Sequence, residues 1–88
     1  MVKGFNSDIL IQGQVFHIQS EDWGAEKKFL MTTVFKNGAV IKRLKLDYAE
    51  VLAHAHFLDR EEALLNALKR QHYQVLDQLS RGDLSAEC

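Results

Sequence analysis

The chain changes its hydrophobic period once, and that switch constrains its fold more than any other feature. Residues 8 to 46 alternate as strands do, whereas residues 47 to 82 place apolar side chains three and four positions apart. Strands followed by helices in a chain of 88 residues point to a single α+β domain. The sheet is expected over 8–46, helices over 47–56 and 60–80, and a frayed tail over 83–88.

Short connections order the strands. Ile9-Leu10-Ile11 and Val15-Phe16-His17-Ile18-Gln19 flank a turn at Gln12-Gly13-Gln14. A second β-rich run, Phe29 to Phe35, ends in Asn37-Gly38, the strongest short-range hairpin dipeptide, and Ala39 to Leu46 follows as a fourth strand. Connections this short give a four-stranded antiparallel meander in the order 1-2-3-4, followed by a short and a long helix packed on one sheet face. Ser20 to Glu26 reads as a polar loop.

Two helix starts are written as an aspartate three residues before a glutamate: Asp47 before Glu50, and Asp59 before Glu62. The spacing predicts helices from about Tyr48 to His56 and from about Arg60 to Ser80, with Gly82 as the stop. Leu64, Leu65, Leu68, His72, Val75, Leu76 and Leu79 form one stripe on the long helix, so one face of it is buried.

Composition narrows the class of protein. A 47% hydrophobic and 26% charged chain lies far from disordered sequences, and the N-terminus is too short and polar for a signal peptide. The single cysteine, Cys88, allows no internal disulfide, and no apolar run reaches the length of a membrane span. These features lead to the expectation of a cytoplasmic protein with no membrane partner. A chain this short buries only about 60 to 65% of its unfolded surface, so help from a partner is expected.

Net charge is −1, yet Lys27, Lys28, Lys36, Lys42, Arg43 and Lys45 fall in a stretch with no acid. On the fourth strand Ile41, Arg43 and Lys45 are expected on one face, with Val40, Lys42, Leu44 and Leu46 on the other. Lys42, Arg43 and Lys45 are the residues a nucleic-acid-binding module would use, with Trp23, Phe29 and Phe35 for stacking. Protection of an edge strand explains the same lysines with less.

Candidate chemistry is sparse. His17, Gln19 and Glu21 share one strand face beside Asp22, which allows a small enzyme with His17 as base and Glu21 or Asp22 orienting it. A solvated sheet face accounts for the same residues. His54 and His56 diverge by about 200° on a helix, there is no HExxH string, and the glycines are isolated. Neither a metal site nor a phosphate loop is expected, and no cofactor is implied. His72 lies within the apolar stripe, where a histidine packs its ring and satisfies its nitrogens locally or switches charge near neutral pH.

The string Phe16-His17-Ile18-Gln19-Ser20-Glu21-Asp22-Trp23-Gly24, with Thr33-Val34-Phe35-Lys36-Asn37-Gly38, Gln71-His72, Leu79 and Gly82, resembles a family of small uncharacterised bacterial domains. That family has a His-Val-Gln-Thr-Glu-Asp core, a Phe-x-Gly-Gly hairpin and a Gln-His pair in a long final helix. Ile18 and Ser20 stand here for Val and Thr, and Asn37 for the first hairpin glycine. The resemblance implies that His17, Gln19, Glu21, Asp22, Trp23, Gln71 and His72 contribute to one partner-binding site. It implies no reaction.

The third strand is apolar on both sides, with Phe29, Met31 and Phe35 on one face and Leu30 and Val34 on the other. Helices from this chain can cover only one of them. The expectation is therefore a non-enzymatic protein-interaction or assembly module, a homodimer whose interface includes Met31, Phe35, Leu65 and Leu79. Partners are another protein and the chain itself, with nucleic acid as the alternative.

Overall fold

Both hairpins close through two-residue turns in which each central residue has a positive φ: Gln12 at 51° and Gly13 at 77°, Asn37 at 53° and Gly38 at 79°. Turns of this mirror-image kind twist in the same sense as the strands they join, so they set the register on either side. In the computed structural model, which describes residues 4–55 and 59–82, they link β1 (Gly4–Ile11) to β2 (Gln14–Asp22) and β3 (Phe29–Lys36) to β4 (Ala39–Asp47). The sheet is an antiparallel meander, β1-β2-β3-β4. The sheet starts earlier than the expected residue 8, because β1 pairs with β2 from Gly4 opposite Glu21, whereas β3 and β4 begin at Phe29 and Ala39 as expected.

Residues 20 to 26 differ most from expectation. The polar run is not a loop: β2 continues to Asp22, and Gly24–Lys27 form a single helical turn, α1. Ser20 is fully buried. Trp23 N–H donates to Phe29 O at 3.1 Å, which folds the connection back onto the start of β3.

Two helices follow, α2 (Tyr48–Ala53) and α3 (Arg60–Ser80). Asp59 caps α3 as its spacing predicts, its Oδ1 accepting from Glu62 N–H at 2.8 Å. Asp47 does not cap α2 with its side chain, although its backbone is extended as a cap requires. It is the last residue of β4, and the first helical N–H, that of Tyr48, donates to Lys28 O at 3.0 Å. α2 ends at Ala53 with His54 as its cap, short of the end expected at His56, while His56 itself, the tail 83–88 and Cys88 lie outside the described residues.

One face of α3 lies across β1, β2 and β3, and the core beneath it has two parts. Ile18, Val34, Val75 and Leu79 form one, flanked by Ile9, Ile41 and Leu76. Leu30, Tyr48, Leu64, Ala67 and Leu68 form the other, flanked by Phe5 and Leu46. A polar layer of Ser7, Ser20, Thr32 and His72 lies between them.

A bulge corrects the expected faces of β4. Val34 pairs with Lys42 and Phe35 with Val40, which leaves Ile41 as the extra residue. Ile41 therefore joins the core beside Lys42, Leu44 and Leu46, whereas Val40 joins Arg43 and Lys45 on the outer face and is 44% exposed. Strict alternation put them the other way round, because one extra residue inverts every side chain beyond it.

Candidate functional site

Among the described residues no helix covers the outer face of the sheet, and that face collects many of the residues singled out from the sequence. Antiparallel register arranges it in cross-strand rows: Leu10 with Val15; Asp8, His17, Phe35 and Val40; Asn6, Gln19, Thr33 and Arg43; then Glu21, Met31 and Lys45. Leu10 and Val15 are 68% and 58% exposed. With Phe35 and Val40 they form an apolar end beside the two turns. Phe29 and Trp23, their rings 5.0 Å apart, form an apolar border at the opposite end.

Charge divides this face lengthwise. Asp8 and Glu21 lie on the β1–β2 half, and Arg43 and Lys45 on β4, with Asp47 alone at the β4 corner. Lys45 extends over the Phe29 ring, its Nζ 4.6 Å from the centroid. A shallow hollow bounded by Val15, His17, Gln19, Phe35, Asn37 and Gly38 lies toward the apolar end, beside the β3–β4 turn.

His17 has a carboxylate partner, but it is not one the sequence suggested. Its Nδ1 lies 2.6 Å from Asp8 Oδ1, across the β1–β2 pair, and its ring rests 5.9 Å from that of Phe35. The sequence alone does not single out Asp8, because it precedes His17 by nine positions and becomes its neighbour only through the Asp8–His17 register. Hairpin pairing was the available signal.

Asp22 belongs to the other side of the sheet. Its Oδ1 accepts from Gly24 N–H at 2.9 Å and from the Tyr48 hydroxyl, so it ties β2 to α1 and α2. Burial, followed by the hydrogen bond to Asp22 and its charge, pushes the Tyr48 hydroxyl up to about 12. This aspartate is occupied as a structural acceptor and does not orient His17.

Gln71 and His72 also lie beneath the sheet. His72 is 1% exposed, with Nδ1 2.8 Å from Ser20 Oγ and Nε2 2.8 Å from Ser7 Oγ. Ser20 Oγ in turn lies 2.7 Å from Thr32 Oγ1. Burial lowers the affinity of the ring for a proton. Gln71 donates from Nε2 to Leu44 O at 2.9 Å. The structure thus divides the seven residues of the motif. His17, Gln19 and Glu21 share the outer face with Trp23 at its border, whereas Asp22, Gln71 and His72 support the fold from within.

The residues expected at a dimer interface divide likewise. Met31 and Phe35 are half-buried on the outer face, and Leu65 is half-buried on α3. Leu79 is only 5% exposed and packs in the core, so it is not available to a partner. Of the basic trio, Lys42 lies on the helix side and Arg43 and Lys45 on the outer face.

Among the described residues no three His, Cys, Asp or Glu side chains converge as metal ligands, and no helix is long and apolar enough to cross a membrane. No family model, curated protein or solved structure matches the chain.

Proposed function

We propose that this chain is a protein-interaction module whose outer sheet face pairs with the same face of a second copy. The observation that supports the reading is the pattern on that face: apolar at one end, acidic along one side and basic along the other. A two-fold axis parallel to the strands sets β1 of one copy opposite β4 of the other and keeps the apolar ends together. Asp8 and Glu21 of each copy then lie near Arg43 and Lys45 of its mate. A face carrying both halves of a complementary pattern suits the isologous contact of a two-fold dimer. Two sheets stacked in this way lie about 10 Å apart and exclude water from Phe35, Val40, Leu10 and Val15. The motif residues His17, Gln19 and Glu21 fall inside this contact. In this reading their role is recognition.

Charge reversal tests the arrangement. Sedimentation of the wild type at high micromolar concentration is expected to give a dimer whose melting temperature rises with concentration. Glu21→Lys alone, or Lys45→Glu alone, weakens association, and the two together restore it. A clean monomer at every concentration refutes the self-pairing. Single reversals that leave association unchanged refute the strand-parallel axis.

A further inference from the structure

The polar layer of the core holds a serine against a base. His72 Nε2 lies 2.8 Å from Ser7 Oγ, and the other ring nitrogen, Nδ1, lies 2.8 Å from Ser20 Oγ. Ser20 Oγ lies 2.7 Å from Thr32 Oγ1. A hydroxyl within reach of one ring nitrogen, with the other nitrogen held by a further group, is the arrangement that activates a serine. When Nδ1–H donates to Ser20 and Ser20 donates on to Thr32, the Nε2 lone pair accepts from the Ser7 hydroxyl.

The members of this chain differ in exposure. His72, Ser20 and Thr32 are buried, which fixes the ring and shields it from water. Ser7 is half-buried on β1, which among the described residues has a strand neighbour on one side only. Gln71 reaches toward β4, to Leu44 O, and Tyr73 follows it by two residues, about 200° around α3. Tyr73 therefore stands on the opposite flank, toward β1. Its ring is 55% exposed and meets that of His72 edge-on, the centroids 5.8 Å apart. The serine end of the chain is thus the end nearest solvent, with an aromatic surface on the same flank. Burial also keeps His72 neutral near pH 7, and the neutral ring is the form that accepts a proton.

We propose that Ser7 is a nucleophile activated by His72, and that it takes the acyl group of a small carboxylic ester and passes it to water. Ser7 Oγ bonds to the ester carbonyl carbon as its proton moves to His72 Nε2. The bond from that carbon to the alcohol oxygen breaks, and the departing oxygen takes the proton from Nε2. Water then attacks the acyl-serine and gives a proton to Nε2; the acid leaves, and Ser7 recovers its proton from the ring. Alternate N–H groups of an edge strand point away from the sheet, so that of Ser7 or of Asp8 is turned outward to meet the charge that develops on the carbonyl oxygen. Ser20 and Thr32 position the ring and touch no substrate. Ser7 lies on the helix side of the sheet, apart from the outer face proposed for self-pairing, and either reading can fail without the other.

The test treats the whole chain with diisopropyl fluorophosphate, which phosphorylates an activated serine with loss of fluoride. Mass spectrometry is expected to find one added group, at Ser7. Labelling is expected to vanish in Ser7→Ala and to slow at least about a hundredfold in His72→Phe, the usual contribution of a general base. Circular dichroism checks that both variants are folded. Because His72→Phe costs stability, the wild type supplies a second measure: its labelling rate rises with pH and levels off, with a midpoint below the ordinary histidine value of about 6.5. Ser7, Ser20, Phe5 and Tyr73 face the ring and none is charged near neutral pH, so that midpoint belongs to His72. Turnover of 4-nitrophenyl acetate is expected in the wild type and lost in Ser7→Ala. An unlabelled Ser7, labelling confined to Tyr73, or an unchanged rate at Ser7 in folded His72→Phe overturns the proposal. So does a rate without that midpoint, or ester turnover equal in the wild type and Ser7→Ala.

Discussion

Replacing His72 with phenylalanine separates two contributions that the polar layer of the core combines. The ring is fully buried and bridges Ser7 and Ser20, while Ser20 is also bonded to Thr32. A neutral imidazole has one donor and one acceptor, and the hydroxyls rotate to suit, so either tautomer closes the chain. His72→Phe keeps the volume of the ring beside Phe5 and removes both hydrogen bonds. Ser20 keeps Thr32, and the half-buried Ser7 lies nearer to water, so neither hydroxyl is wholly orphaned. At about 1 kcal/mol for each lost bond, the variant is expected to lose roughly 2 kcal/mol near pH 8.

Acid reverses part of that loss. Burial lowers the proton affinity of His72 in the folded state, so below the ordinary histidine range the unfolded chain binds more protons than the folded one. The stability held by neutral His72 is thus complete above about pH 6.5 and declines as pH falls below it, by no more than about 1.4 kcal/mol per pH unit for one proton. Phenylalanine has no proton to bind. Urea unfolding of both proteins between about pH 8 and pH 5 is therefore expected to show the gap narrowing toward acid. A gap that stays constant, or widens, would show that His72 binds its proton in the folded state as readily as in the unfolded one.

Other substitutions probe the supports of the fold. Leu68→Ala, at a site with no exposure in the core beneath α3, is expected to cost about 2 to 5 kcal/mol by chemical denaturation, and full retention of stability rejects its central position. Asp59→Ala removes the acceptor of Glu62 N–H and is expected to cost about 1 kcal/mol, whereas Asp47→Ala, which caps nothing with its side chain, is expected to cost less. Tyr48→Phe removes the hydroxyl bond to Asp22 and is expected to cost about 1 to 2 kcal/mol, with the ultraviolet titration of a tyrosine near pH 12 lost alongside it.

Turn chemistry and capping were legible in the sequence because each acts over a few residues. Gly13 and Gly38 take the positive φ that their turns require, and Asp59 meets Glu62 within one helical turn. The apolar stripe of α3 was legible for the same reason, and its buried residues Leu64, Leu68, His72, Val75 and Leu79 follow the three-and-four spacing. Errors arose where a distant partner decides the outcome. Ser20 looked like loop polarity because its partners, Thr32 and His72, lie 12 and 52 residues away. Strict alternation puts Ile41 on the outer face, because a bulge carries no mark in a run of Val, Ile and Lys. The candidate site was half legible: alternation gathered His17, Gln19 and Glu21, but only register could add Asp8 and only packing could withdraw Gln71, His72 and Leu79.

The same few residues explain why β4 carries different side chains on its two faces. α3 crosses β1, β2 and β3, and across the gap to β4 the described structure sets an amide, Gln71, which holds the Leu44 carbonyl. Farther along β4, the bulge at Ile41 turns Val40 to the outer face beside Arg43 and Lys45 and sends Ile41 to the core. Alternation alone sets Lys42 opposite Arg43 and Lys45; what the extra residue changes is the apolar end of the strand. Without it, strict alternation would bury Val40, expose Ile41 and change the apolar end on which the self-pairing depends.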